Sequence, residues 1–328
     1  MPDILIRQNG HAGHVTLNRP KALNALTWEM CLAIEKALDT WRDHPAITLI
    51  LIDGAGDRAF CSGGDIAEMY AAGQRGDLDY GRRFWRDEYR LNAKIHAYAK
   101  PVVTFLHGFT MGGGVGVGCH GSHRIVCETS QIAMPECSIG LVPDVGGSLI
   151  LAKAPGHCGE YLGLTGDRMD TGDAIYAGFA DHYVPQKDWD ALKGELAETG
   201  AAKIPAHPAP NSRLHDWQKA IDDYFASATD SEAAQRAAKL MSRNAPLAMQ
   251  VCRHILTAVR KSPDIKTALD HEFRYTYRCV AQGDFIEGIR AAIIDRDRDP
   301  QWQKVTDDQI AAMTAPLGEH ALQWEDET

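Results

Sequence analysis

Hydrophobic and polar residues alternate along 3–8 (DILIRQ) and again along 13–18 (GHVTLN), with Asn9-Gly10 between the two runs. Period-two alternation around Asn-Gly predicts a β-hairpin. Thr27 then precedes an amphipathic run through Met30, Ile34, Leu38 and Trp41, which predicts a helix capped by the threonine hydroxyl. Apolar strand-like segments follow at 47–54 (ITLILIDG), 101–108 (PVVTFLHG) and 124–129 (RIVCET), with helical periodicity over 79–98. Strands alternating with helices imply an α/β core.

The texture changes near residue 200. Lys203 to Asn211 carries Pro205, Pro208 and Pro210 and reads as a linker. Beyond it, 213–227, 231–243, 246–260, 264–281 and 284–293 all have helical period. The organisation expected is therefore a core over 1–204 that carries the active site, followed by a helical region over 205–328.

Composition narrows the possibilities. The chain has 328 residues, 45% hydrophobic and 24% charged, with no apolar run long enough to cross a bilayer. A formal net charge of -10 argues against general nucleic-acid binding, which relies on Lys and Arg to neutralise phosphates. The eight cysteines lack CxxC spacing and suit free thiols in a reducing compartment. The N-terminus runs straight into strand sequence without an export or transit pattern, so a cytoplasmic location is expected.

Candidate chemistry concentrates in His107 to Gly147. Gly112, Gly113 and Gly114 follow a buried strand and open a helix, whose first N–H groups lack internal acceptors and can receive an oxyanion; close helix–strand packing is the plainer use of the same glycines. AFCSGGDIAEMY (59–70) repeats the arrangement, with Asp65 opening a helical run. Two such turns could each supply one donor to a single carbonyl oxygen. Glu136 follows Pro135, and Asp144 lies eight residues later, both in apolar, Gly-rich sequence. Single acids beside Pro and Gly often serve turns or caps; two of them near a candidate oxyanion hole favour chemistry.

NRPKALNAL (18–26), FCSGGDI (60–66), GGG (112–114) and MPE (134–136), in this order, make the chain resemble the crotonase superfamily over essentially its whole length. That resemblance implies a crotonase-type spiral of ββα units with a helical C-terminal region. Within the superfamily, TMGGGVG, MPECSIGLVPDVGG, YLGLTGDRM (161–169), AGFADHYV (177–184) and DFIEGIRAAIIDRDRDPQW (284–302) resemble the branch that hydrolyses 3-hydroxyacyl-CoA thioesters, 3-hydroxyisobutyryl-CoA foremost, in valine catabolism. The resemblance implies that the amides of Gly64 and Gly113 form the oxyanion hole and that Glu136 is the catalytic carboxylate. It further implies that Asp144 orients the acyl hydroxyl or assists proton transfer, and that Glu88 contacts substrate. The hydratases of the superfamily carry a second glutamate two residues after the Gly triplet, where this chain has Gly116. Hydration by two opposed carboxylates is thereby disfavoured, although some isomerases and decarboxylases share the gap.

Other signals carry less. Gly116, Gly118 and Gly121 match GxGxxG but fall inside the predicted helix, where a dinucleotide fingerprint needs them in the preceding turn. Cys119, His120, His123 and Cys127 fit no closed zinc site. The expectation is an acyl-CoA thioester hydrolase with coenzyme A as part of its substrate. No separate cofactor, metal, nucleic acid or membrane is expected, and a homo-oligomer is possible. The alternatives are an enoyl-CoA hydratase or isomerase and a non-catalytic acyl-CoA binder.

Overall fold

The computed structural model describes residues 2–324. Two units are interleaved along the chain: Met1–Gly64, Leu91–Ala133 and Arg168–His215 form the first, and Asp65–Arg90, Met134–Asp167 and Asp216–Thr328 the second.

The strands all lie in the first unit: β1 (Ile4–Asn9), β2 (Ala12–Leu17), β3 (Leu49–Gly54), β4 (Ala59–Cys61), β5 (Val102–Leu106), β6 (Phe109–Met111), β7 (His123–Val126), β8 (Gln131–Ala133) and β9 (His182–Tyr183). The expected hairpin is present, with β1 and β2 antiparallel and Asn9 opposite Ala12. From β2 onward the main sheet is parallel, in the order β1-β2-β3-β5-β7-β9, while β4, β6 and β8 form a separate small parallel sheet. Along the chain, β3, β5 and β7 of the main sheet are each followed by one short strand and then a helical turn. That is the ββα repeat of the crotonase fold. The three-residue strands escape periodicity because they are shorter than the window in which alternation can be read.

The helices are α1 (Trp28–Arg42), α2 (Ile66–Gln74), α3 (Leu78–His96), α4 (Gly113–Gly118), α5 (Gly147–Lys153), α6 (Cys158–Thr165), α7 (Thr171–Tyr176), α8 (Trp189–Thr199), α9 (Arg213–Ser227), α10 (Glu232–Met241), α11 (Pro246–Lys261), α12 (Ile265–Gln282), α13 (Phe285–Ile289) and α14 (Asp307–Thr314). Thr27 caps α1 as expected, its side chain accepting from the Met30 N–H at 3.2 Å. In the first unit, Trp189, Leu192 and Leu196 of α8 pack onto Leu49, Leu51, Val103, Phe105 and Ile125 of the sheet. Burying one side chain of this size stabilises by about 1.5–3 kcal/mol.

In the second unit α11 is central. Leu247, Ala248, Val251, Cys252, Ile255, Leu256 and Val259 form its buried stripe, and it packs on α5, α6, α12 and α14. Among the described residues, those beyond 205 are helical where they are regular, as their periodicity implied. The last segment of this unit begins at Asp216, and the stripe of α11 within it is covered partly by α5 and α6 from 134–167. The segment read as one helix over 284–293 is α13 followed by a π-helical turn, Arg290–Ile294. Arg290 anchors that turn through Glu287, Asp295 and Asp297.

Candidate active site

The residues singled out in the sequence follow the three short strands: Gly64 comes after β4, Gly113 after β6 and Glu136 after β8. In the first unit, β4 and β6 run parallel, with Ala59 opposite Phe109 and Cys61 opposite Thr110. Gly64 forms a parallel bridge with Leu26, whose N–H is given to Gly63 O at 2.8 Å. Gly113 is the first residue of α4, and a helix leaves its first N–H groups without internal acceptors. Gly114 permits the close approach of the two turns, since a Cβ there would lie 2.4 Å from Cys61 O. A Cβ on Gly63, which has φ +116, would lie 3.4 Å from Met111 O and 4.0 Å from Gly113 N. Gly116 and Gly118 are buried within α4, which removes them from any phosphate-binding turn.

The second unit holds a cluster of buried acids. Glu136 opens a 3-10 turn, Glu136–Ile139, closed by Gly140 in the left-handed region. It is 4% exposed, and its Oε2 is buried without a hydrogen-bond partner. Burial, then the charge of Asp144, holds its carboxyl well above the usual carboxylate range. Asp144 is buried in the loop before α5, and its Oδ2 accepts a hydrogen bond from the Tyr89 hydroxyl at 2.7 Å. Burial pushes its carboxyl up to about 7, opposed by the Tyr89 hydrogen bond. Tyr89 Oη also lies 3.4 Å from Thr276 Oγ1 of α12. Glu88 precedes Tyr89 on α3 and is buried with Oε1 unpartnered. Burial and the Asp144 charge raise its carboxyl as well. Glu88, Glu136 and Asp144 are thus brought into one electrostatic cluster.

A fourth acid joins them. Glu272 of α12 is 0% exposed and accepts from Gly146 N at 2.8 Å, from Ser148 N at 3.1 Å and from the Ser148 hydroxyl. Burial, opposed by the Ser148 hydrogen bond and reinforced by the Asp144 charge, moves its carboxyl to about 8. The turn it grips is strained, because Val145 has φ 53. A β-branched residue in that region is a conformational outlier of roughly 1–3 kcal/mol, kept only where the surroundings fix it.

Tyr89, Thr276 and Glu272 were not singled out from the sequence. A signal for Glu272 existed, since it falls in the buried stripe of α12 with Ile265, Ala268, Leu269, Phe273 and Thr276. An acid within such a stripe is unusual enough to mark. Tyr89 shares a buried helical face with Phe84, Trp85 and Glu88, and its ring packs edge-on against Phe273 at 6.0 Å between centroids.

Comparison with known proteins points the same way. A family model described as enoyl-CoA hydratase/isomerase matches residues 12–315. The chicken (Gallus gallus) protein named "3-hydroxyisobutyryl-CoA hydrolase, mitochondrial" is 34% identical, across 98% of this chain and 90% of that protein. The human protein of the same name is 33% identical, across 98% and 91%. Among solved structures, that of a protein named an enoyl-CoA hydratase from Rhodobacter sphaeroides 2.4.1 superposes with a TM-score of 0.96 at 51% identity, covering 98% of this chain and 100% of that one. The structure of a protein named a carnitinyl-CoA dehydratase from Mycobacterium thermoresistibile has a TM-score of 0.90 at 36% identity, covering 100% of both chains.

Proposed function

The chain belongs to the enoyl-CoA hydratase/isomerase family, whose members here act on acyl-CoA compounds, and we propose that it hydrolyses a 3-hydroxyacyl-CoA thioester, 3-hydroxyisobutyryl-CoA foremost. The observation that carries this reading is the unequal treatment of its two acids. Asp144 is engaged by Tyr89, whereas Glu136 keeps a buried oxygen without a partner. A carboxyl desolvated in this way is destabilised as an ion and is a stronger nucleophile or base once ionised.

The N–H groups of Gly64 and Gly113 receive the thioester oxygen as it gains charge. Donors of this kind are worth roughly 3–4 kcal/mol each in the transition state. Glu136 attacks the carbonyl carbon, forming an anhydride and expelling the coenzyme A thiolate, and water then cleaves the anhydride; alternatively, Glu136 takes a proton from the water that attacks directly. Either route yields the free 3-hydroxy acid and coenzyme A. Asp144 orients the acyl hydroxyl, and Glu88, whose carboxyl burial and the Asp144 charge raise well above the usual range, supplies a further polar contact to the acyl group. The place of the reaction in valine catabolism and a cytoplasmic location belong to the same proposal; the vertebrate relatives are named as mitochondrial.

A second reading, enoyl-CoA hydration, is favoured by the hydratase name of the 51%-identical Rhodobacter sphaeroides protein. Against it stands Gly116, which leaves no side chain to act as the opposed acid. Release of free thiol from 3-hydroxyisobutyryl-CoA, lost in Glu136→Gln while the ester still binds, is the test.

A further inference from the structure

We propose that Glu272 is a positioning residue for this reaction, holding the turn from Val145 to Ser148 so that Asp144 stays seated on Tyr89. The inference rests on the hydrolase reading for its kinetic consequence but on geometry for its cause. Glu272 and the turn come from distant parts of the chain, and three donors of the turn converge on one carboxylate: Gly146 N, Ser148 N and the Ser148 hydroxyl. The Asp144 carbonyl closes the turn from the other side by accepting from Gly147 N at 2.7 Å. Between these anchors Val145 is held at φ 53, a conformation it would leave if released.

Capping the N-terminus of α5 does not by itself account for this arrangement. A cap needs one acceptor for the first-turn N–H groups, and a neutral Ser or Asn serves as well as an acid. Here the acceptor is a fully buried carboxyl whose ionisation is opposed by burial and by the charge of Asp144. A carboxyl with two oxygens does what a single-acceptor cap cannot: one oxygen takes Gly146 N and the other takes Ser148, so both residues flanking Gly147 are fixed and with them the direction in which Asp144 leaves the chain.

The test is Glu272→Gln, which keeps the shape but faces an N–H group with an amide donor, together with Ser148→Ala, which removes one donor without changing charge. The expected result for Glu272→Gln is a fall in kcat for thiol release of between about 10- and 100-fold, with KM changed by less than about threefold. Its crystal structure should show Asp144 drawn away from Tyr89. Ser148→Ala should lose kcat in the same direction by a smaller factor. Unchanged kcat in Glu272→Gln, or a crystal structure of it in which the Tyr89–Asp144 bond is kept, overturns the proposal. If Glu272→Gln does not fold, Ser148→Ala decides, and unchanged kcat there overturns it. If the wild-type protein releases no thiol at all, the hydrolase reading fails, and the crystal structure of Glu272→Gln alone decides the role of Glu272.

Discussion

Tyr89 donates its hydroxyl hydrogen to Asp144 Oδ2 across 2.7 Å, and both side chains are buried. The bond favours the ionised form of a carboxyl that burial pushes the other way. It therefore helps decide which acid of the cluster keeps its proton.

Tyr89→Phe removes this donor and keeps the ring that packs on Phe273. Asp144 then loses the interaction that lowers its carboxyl, so the acid limb of the pH–rate profile should move to higher pH while the fold persists. Kinetics across the pH range check it, with circular dichroism as the control. An acid limb in the same place as wild type would mean that Asp144 does not govern the rate.

The dependence of the wild-type rate on pH has a definite sign. Glu136 and Asp144 both lie above the usual carboxylate range, and each must be ionised for the roles assigned to it. Because the two interact, their protons leave in steps that belong to the pair. The value of kcat/KM should rise through neutral pH, falling by about tenfold per unit once one acid of the pair is protonated and by up to about a hundredfold per unit below both. A profile flat from about pH 5 to about pH 8 would contradict the assignment.

Much of the fold was legible because its signals are local. Asn9-Gly10 between alternating runs marks the hairpin, Thr27 marks the start of α1, and the stripe of α11 gives its helix. Of the short strands, β4 was legible only through the glycine turn and helix start that follow it, and β6 and β8 were not, although Gly113 and Glu136 follow them, because three residues carry too little pattern. The interleaving of the two units was hidden for a different reason: which segments cover the apolar face of α11 is a tertiary fact that composition does not contain. Glu136 and Asp144 stood out by sitting in Gly- and Pro-rich apolar sequence. Glu272 did not, because a single acid on an amphipathic helix reads as a solvated charge until its neighbours at 268, 269, 273 and 276 are seen to be buried.

Glu88→Gln should act on stability in a way that depends on pH. The Glu88 carboxyl is raised when folded, so the native state keeps a proton that the unfolded chain releases above about pH 4.3. That favourable contribution is complete below the unfolded value and is lost as pH rises toward the folded one. Glutamine has no such loss, so the melting temperature of the variant relative to wild type should climb as pH rises above the unfolded carboxyl value. Calorimetry at several pH values checks it. A difference that stays constant with pH would show that Glu88 is not held protonated.

The central claim concerns which bond is broken. Purified protein should be incubated separately with 3-hydroxyisobutyryl-CoA and crotonyl-CoA, following free thiol and the enoyl absorbance together, with Glu136→Gln alongside. The account requires thiol release from the hydroxyacyl ester that disappears in Glu136→Gln, and little loss of enoyl absorbance from crotonyl-CoA. Brisk hydration of crotonyl-CoA without thiol release would contradict it.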